Sequence, residues 1–225
     1  SKLAEKHVYD VLYPIIDQRL TKAQFGFRKR RSTTEALALF QKIVAEGFQL
    51  CEKVKTSSKV VAVYCDVMKA FDTVPFGHLQ EILHRDYRVP ARLLNFIKGY
   101  LSERKMRVRV GDALSDEEPV LSGVPQGSIL GPLLFNAYIN RVAETELSEH
   151  GQVILYADDL VYIKPLHTMN STNEMTADME KIETAFSDLK LKLNPKKCKV
   201  MRMSISKTQF DAEVTIGGEK LEVVD

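Results

Sequence analysis

The stretch Val153-Ile154-Leu155-Tyr156-Ala157-Asp158-Asp159-Leu160-Val161-Tyr162-Ile163 decides how the rest of the chain is read. Two apolar runs rich in β-branched and aromatic residues flank a short polar break, the pattern of a hairpin with two carboxylates at its tip. Asp is a common turn residue, so an Asp-Asp tip is by itself an ordinary turn. Its surroundings are less ordinary. Adjacent like charges repel, and burial against apolar strands raises the pKa of one of them unless a cation sits between. Lys59 to Cys65 (KVVAVYC) is a second apolar run with the length and β-branching of a buried strand. Asp66 ends it, and Asp72 follows six residues later. If this strand pairs with the hairpin, Asp66 and Asp158 converge at one rim of a sheet. Two Mg²⁺ ions about 3.5–4 Å apart, held by such carboxylates, activate a hydroxyl nucleophile and stabilise a leaving phosphate. The competing role for Asp66 and Asp72 is to cap the helix expected near residue 75, and Asp72 is read that way.

Outward from this core, helices and strands alternate. Residues 3–20 carry apolar side chains at helical spacing, with Pro14 as an expected kink or break. Gln24-Phe25-Gly26-Phe27-Arg28-Lys29-Arg30-Arg31 follows as a loop of aromatics and cations, and Ser32-x-x-Glu35 is a capping box that opens a helix through about residue 53. Helices are expected near 75–86 and 91–101, the second entered at Pro90. Met106, Val108 and Val110 alternate with Arg107 and Arg109, which predicts a half-buried strand with one basic face. Ser122-Gly123-Val124-Pro125-Gln126-Gly127-Ser128 is a loop whose glycines let backbone approach a flat or phosphate-bearing ligand, although an ordinary strand-to-helix turn has the same composition. Residues 131–147 and 172–191 read as helices. Lys199 to Ile205 and Glu213 to Val224 read as three short strands, the last two joined at Gly217-Gly218. The order predicts a mixed α/β sheet with helices on one face.

The 225 residues are 28% charged and 44% hydrophobic, an ordinary globular composition that excludes disorder. No run approaches the roughly 18 apolar residues of a membrane span, and the first residues lack a signal core. With no initial Met, the chain is expected to be a fragment or a processed form. Three scattered cysteines and five histidines show no zinc spacing and read as free thiols and structural imidazoles of an intracellular, nuclear or cytoplasmic protein. Net charge is only +2, but its distribution is uneven. Residues 1–60, 81–110 and 185–209 carry net charges of +6, +5 and +6, while residues 141–184 hold nine acids against three bases. Basic blocks around an acidic middle suit a nucleic-acid channel with a metal centre, although solvated helix faces are charged as well.

Three blocks together resemble the successive sequence blocks of reverse transcriptases: Tyr64-Cys65-Asp66-Val67-Met68-Lys69-Ala70-Phe71-Asp72, Gly123-Val124-Pro125-Gln126-Gly127-Ser128-Ile129-Leu130-Gly131-Pro132, and Tyr156-Ala157-Asp158-Asp159. Gln24-Phe25-Gly26-Phe27-Arg28 with Arg31-Ser32-Thr33 resembles the fingers block before them, and Leu193-Asn194-Pro195-Lys196-Lys197-Cys198 the block after. The wording is nearest to non-LTR (LINE-type) retrotransposons, and the likeness runs over essentially the whole chain.

The resemblance implies an α+β polymerase right-hand fold: partial helical fingers over 1–58 and a palm over 59–225, with 75–121 packing back toward the fingers. It implies an antiparallel palm sheet covered by helices on one face, with the thumb missing. It implies an RNA-directed DNA polymerase, a nucleotidyltransferase that joins dNTPs to the 3′-OH of a DNA or RNA primer on an RNA template by a two-metal mechanism. Asp66, Asp158, Asp159 and the Val67 carbonyl would hold two Mg²⁺ ions, with Mn²⁺ able to substitute. Phe71 stands where the family has an aromatic gate against the ribose 2′-OH; its alternative role is a core aromatic. Gln126 and Gly127 would line the nucleotide pocket, Lys197 would lie near the triphosphate with Lys196 as competitor, and Arg28, Arg31 and Pro125 would face the template. The chain departs from LINE-type relatives at Phe76, Arg88 and Phe186, where they often have histidine, glycine and tryptophan. An inactive nucleic-acid-binding relic and an RNA-templated RNA polymerase are the alternatives; all three aspartates are present against the first, and Phe71 stands against the second. The basic blocks predict that affinity for a primer–template duplex, measured by fluorescence anisotropy, falls steeply and linearly on a log–log plot against salt.

Overall fold

The structure is a computed structural model that describes residues 2–102, 104–205 and 210–224; Lys207 of the third basic block lies outside them. The chain divides into two compact units, one of residues 1–20 with 69–138 and one of residues 21–68 with 139–225.

The second unit is built on a sheet. Strand β1 (Lys59–Cys65) lies at its centre, and in chain order the sheet also takes β6 (Gln152–Tyr156), β7 (Asp159–Pro165), β8 (Lys199–Ser204) and β11 (Glu222–Val224), arranged β11-β8-β1-β7-β6. Antiparallel pairing of β1 with β7 runs from Val60↔Pro165 to Cys65↔Leu160, and with β8 from Lys59↔Ser204 to Tyr64↔Lys199. β11 joins β8 in parallel, at Glu222↔Lys199, so the sheet is not wholly antiparallel as expected. A small hairpin, β9 (Thr215–Ile216) and β10 (Glu219–Lys220), turns at Gly217-Gly218 as expected and leads into β11 as a separate strand.

Helices cover both faces of the sheet, which corrects the expectation of one. Helix α2 (Thr33–Lys53) starts at Ser32, whose hydroxyl accepts the Glu35 N–H at 3.2 Å. Its Ile43, with Leu39, Phe40 and Val44, packs on the face made by Val60, Ala62, Ile154 and Ile163. Helix α6 (Ser171–Asp188) takes the other face, on the side of Tyr162 and Lys164. The reason is the composition of β1. Val60, Val61, Ala62 and Val63 are all 0% exposed, so neither side of the strand tolerates water.

A polar network lies under α6. The ammonium of Lys164, itself 0% exposed, donates to Ser148 Oγ at 2.7 Å, the Glu149 carbonyl at 2.6 Å and Glu174 Oε2 at 2.7 Å. Buried Asp178 accepts from the Ser148 amide at 2.7 Å, the Ser148 hydroxyl at 2.5 Å and the Tyr162 hydroxyl at 2.7 Å. Burial, and then the bond to Asp178, push the Tyr162 hydroxyl pKa far upward, so the phenol stays protonated and donates.

The first unit is mainly helical: α1 (Lys2–Asp17), α3 (Phe76–Arg85), α4 (Ala91–Leu101) and the start of α5 (Gly131–Ala143), which ends in the second unit. α1 continues through Pro14 into its last turn instead of breaking there. α5 and α6 stop at Ala143 and Asp188, short of the predicted 147 and 191. The predicted strand over 106–110 is instead an exposed hairpin of short strands, β2 (Lys105–Met106) with β5 (Glu118–Pro119) and β3 (Arg109–Val110) with β4 (Ala113–Leu114). Met106, Val108 and Val110 are 52%, 58% and 75% exposed. A period of two states which residues share a face, not whether that face is covered.

Because Asp178 compensates a buried polar cluster, Asp178→Ala leaves donors unpaired and costs about 3 kcal/mol. Thermal unfolding should show Tm lowered by roughly 6–12 °C.

Candidate active site

The pairing register puts one end of β1 beside the start of β7, where Cys65 faces Leu160. Asp66 follows directly on one strand; Ala157 and Asp158 form the β6–β7 turn, and Asp159, paired with Tyr156, opens β7. The three carboxylates share a rim, as the sequence predicted. Burial raises the Asp158 pKa, with Asp66 adding repulsion. Asp159 is raised by burial, then by Asp158 and Asp66. At both residues burial is the larger cause, and repulsion among the carboxylates adds to it.

Asp66 is held by its backbone. Its N–H donates to Cys198 Sγ at 3.3 Å, its carbonyl accepts the Asn194 N–H at 2.8 Å, and Val67 bridges Leu193. The buried Cys65 and Cys198 therefore act as packing beneath the aspartate. Lys197 Nζ lies 3.7 Å from Asp66 Oδ1, and its side chain is 67% exposed. Of the two neighbouring lysines, Lys197 is thus the one that faces the carboxylate rim.

The turn that carries Asp158 has a brace that the sequence did not disclose. Gln24 is 0% exposed and spends its side-chain amide on Ala157, donating to the carbonyl at 3.2 Å and accepting the N–H at 3.0 Å. A glutamine in an aromatic and basic block gave no signal of this, because its partner lies 133 residues away. Arg28 Nη1 donates to the carbonyls of Thr21 at 2.7 Å and Gln24 at 3.2 Å, and the Arg31 guanidinium lies 4.8 Å from the centre of the Phe25 ring. Beside Asp159, α2 and the sheet leave an apolar groove of about 390 Å³ lined by Leu37, Phe40, Tyr64, Tyr156 and Val161.

The remaining predicted site residues lie in the first unit. Phe71 sits in a short 3₁₀ turn, Ala70–Asp72, and stacks on Phe135 with ring centres 4.1 Å apart and planes 19° apart. The Val124 amide donates to the Phe71 carbonyl at 2.8 Å, and the Ser122 hydroxyl to the Asp72 carbonyl at 2.8 Å. Gln126 Nε2 donates to Asp72 Oδ1 at 2.8 Å. Asp72 therefore ties down the Gln126 loop and is not the cap expected of it; α3 begins at Pro75 with no side-chain cap. Gly123 must be glycine: at φ +93° a Cβ would stand 2.8 Å from Asp72 Cα. Gly127, at φ +75°, is exposed, with open space where a Cβ would be, and buried Pro125 precedes Gln126.

A profile described as reverse transcriptase (RNA-dependent DNA polymerase) matches residues 1–215. The chain belongs to the reverse transcriptase family. It is 30% identical over 208 residues to the probable RNA-directed DNA polymerase from transposon BS of Drosophila melanogaster, covering 88% of this chain and 22% of that protein. The RNA-directed DNA polymerase from mobile element jockey of the same fly is also 30% identical, over 207 residues with the same coverage. The chain thus spans about a fifth of the length of these curated relatives. Among solved structures, apo telomerase from Candida tropicalis superposes with a TM-score of 0.64 at 11% identity, over 97% of this chain and 39% of that one. The same telomerase with a fragment of telomeric RNA gives 0.65 at 13% identity, over 90% and 35%. The fold is the polymerase right hand, and the non-LTR retrotransposon affinity read from the sequence blocks holds.

The donor set of this reverse transcriptase domain fits a hard divalent cation: crowded carboxylate oxygens on one sheet rim. Among the described residues no three His, Cys, Asp or Glu side chains form a ready metal cage. Burial of the charged Asp158, with repulsion from Asp66 added, makes the site costly to the fold, so Asp158→Asn should raise Tm in cation-free buffer by roughly 2–4 °C, or about 1 kcal/mol. Raised carboxylate pKa values mean that the folded state binds protons more tightly, so this difference should shrink as pH falls through them toward the ordinary carboxylate value.

Proposed function

We propose that this chain is the nucleotidyl-transfer core of an RNA-directed DNA polymerase, adding deoxynucleotides to the 3′-OH of a DNA or RNA primer on an RNA template. The convergence of Asp66 with Asp158 and Asp159 on one sheet rim carries the reading. Asp66, Asp158 and the Val67 carbonyl would hold divalent cations, Mg²⁺ in the first place and Mn²⁺ as substitute, with Asp159 assisting. Bound there, the ions supply charge neutralisation at the reacting phosphate and a more acidic attacking hydroxyl. The protein's own part is to position: in-line phosphoryl transfer asks for alignment and charge stabilisation, with no covalent protein intermediate.

Other residues have roles that suit their chemistry. Phe71, backed by the ring of Phe135, is a rigid wall against a ribose 2′-OH. Gln126 and Gly127 present a fixed amide and bare backbone to the nucleotide. Lys197 offers an exposed ammonium to the triphosphate. Arg31 and Pro125 are assigned to the template side. The three cysteines are free thiols and buried, which suits a reducing compartment, so the nucleus or cytoplasm is the proposed place of action. No described helix is long and apolar enough to cross a membrane. With all three aspartates in place, the inactive-relic reading is not adopted.

Primer extension on an annealed RNA template tests this. Deoxynucleotides with Mg²⁺ or Mn²⁺ should support extension, and Asp158→Asn should reduce it by a factor on the order of 10³ or more. Retained synthesis with unchanged metal dependence in that variant would sink the assignment. Phe71→Val should raise ribonucleotide use on the order of tenfold; an unchanged preference removes Phe71 from the gate.

A further inference from the structure

We propose that the segment Gln24–Arg28 is a brace for the turn that carries Asp158 and Asp159, with Gln24 its central positioning residue. The proposal rests on the reading above for the role of Asp158. It reassigns Arg28, which a basic block would otherwise lend to the template.

Ala157 is the residue before Asp158 and adopts φ +59°, the left-handed region that a non-glycine residue enters at a cost. Such a conformation persists only where its surroundings over-determine it. Gln24 does this. One primary amide offers a donor and an acceptor together, so it answers both the N–H and the C=O of Ala157, while Oε1 also accepts the Gly26 N–H at 2.8 Å. Neither end of this exchange has access to water, because Gln24, Gly26 and Ala157 are all buried. Main-chain bonds flank it: the Phe25 N–H donates to the Leu155 carbonyl at 2.8 Å, and the Leu155 N–H to the Ala23 carbonyl at 2.9 Å. Gly26 completes the fit, since a Cβ there would stand 2.2 Å from the Ala157 nitrogen.

The brace has its own anchor. Arg28 Nη1 closes the bend by bonding the carbonyls of Thr21 and Gln24, and the Thr21 amide donates to Asn140 Oδ1 at 2.8 Å, near the end of α5. Asn140 thus connects through Thr21, Arg28, Gln24 and Ala157 to Asp158. Glutamate at position 24 keeps the two acceptor contacts but opposes a carboxylate to the Ala157 carbonyl. Alanine takes the side-chain partner away from three buried backbone groups, the N–H and C=O of Ala157 and the N–H of Gly26.

Two measurements on the full chain test the brace. In the first, exchange of the Ala157 amide proton is followed by NMR with no metal or substrate present. The wild type should protect it, and Gln24→Ala should speed exchange on the order of tenfold or more; an unchanged rate overturns the brace whatever the activity. The second is single-nucleotide incorporation. Gln24→Ala should lower kcat on the order of 10- to 100-fold, with deoxynucleotide KM and primer–template Kd unchanged, and Gln24→Glu should fall between. A loss that appears in Kd and leaves kcat intact overturns the positioning role. For Arg28→Gln the brace predicts lower kcat with an unchanged salt slope of binding. A slope smaller by about one, with kcat intact, returns Arg28 to the template and overturns its place in the brace. An inactive wild type would overturn the polymerase reading alone, since amide exchange decides the brace independently.

Discussion

Mutual repulsion of three carboxylates is the constraint around which the sheet is organised. Beyond the effect of burial, Asp66 raises the cost of ionising Asp158, and both raise that of Asp159, so nothing in their own chemistry keeps the three together. What does so is the pairing of β1 with β7, in which Val60, Val61, Ala62 and Val63 bury both faces of the central strand. A fully buried Val or Ile contributes about 1.5–3 kcal/mol, so a few such residues offset the crowding at the rim. The same argument explains why β1 needs helices on both sides. A strand with one wet face would hold its end less firmly.

Much of this was legible in the sequence. KVVAVYC is a strand on composition alone, the YADD turn is a hairpin by its flanks, and the meeting of Asp66 with Asp158 follows from letting them pair. The capping box at Ser32 appears where it was read. What could not be read depends on partners distant in sequence. Asp72 is followed by a helix, so a cap was the local inference, but its carboxylate turns to Gln126, 54 residues on. Lys164 sits in an apolar strand as a buried ammonium, and only the folded positions of Ser148 and Glu174 make that tenable. The 106–110 alternation has the right period for a half-buried strand and no cover for its apolar side.

The two candidate-site loops are fixed by the same device. In one unit the Gln126 amide is pinned by the Asp72 carboxylate; in the other the Gln24 amide pins the Ala157 backbone. The first leaves an exposed side chain whose outward atom is set, because an ionised carboxylate only accepts and so holds the nitrogen end of the amide. The second hides its amide entirely and sets a backbone. A side chain that faces a ligand has to be oriented at the surface, whereas a turn that bears charges is held from beneath.

The close approach of Gly26 to Ala157 also decides where a substitution at position 26 is felt. At this contact there is no room for even one added carbon, and the atoms met are main-chain atoms of Tyr156 and Ala157, which no change of rotamer moves aside. An added side chain therefore displaces the hairpin turn itself, whereas the apolar faces of the sheet are left as they were.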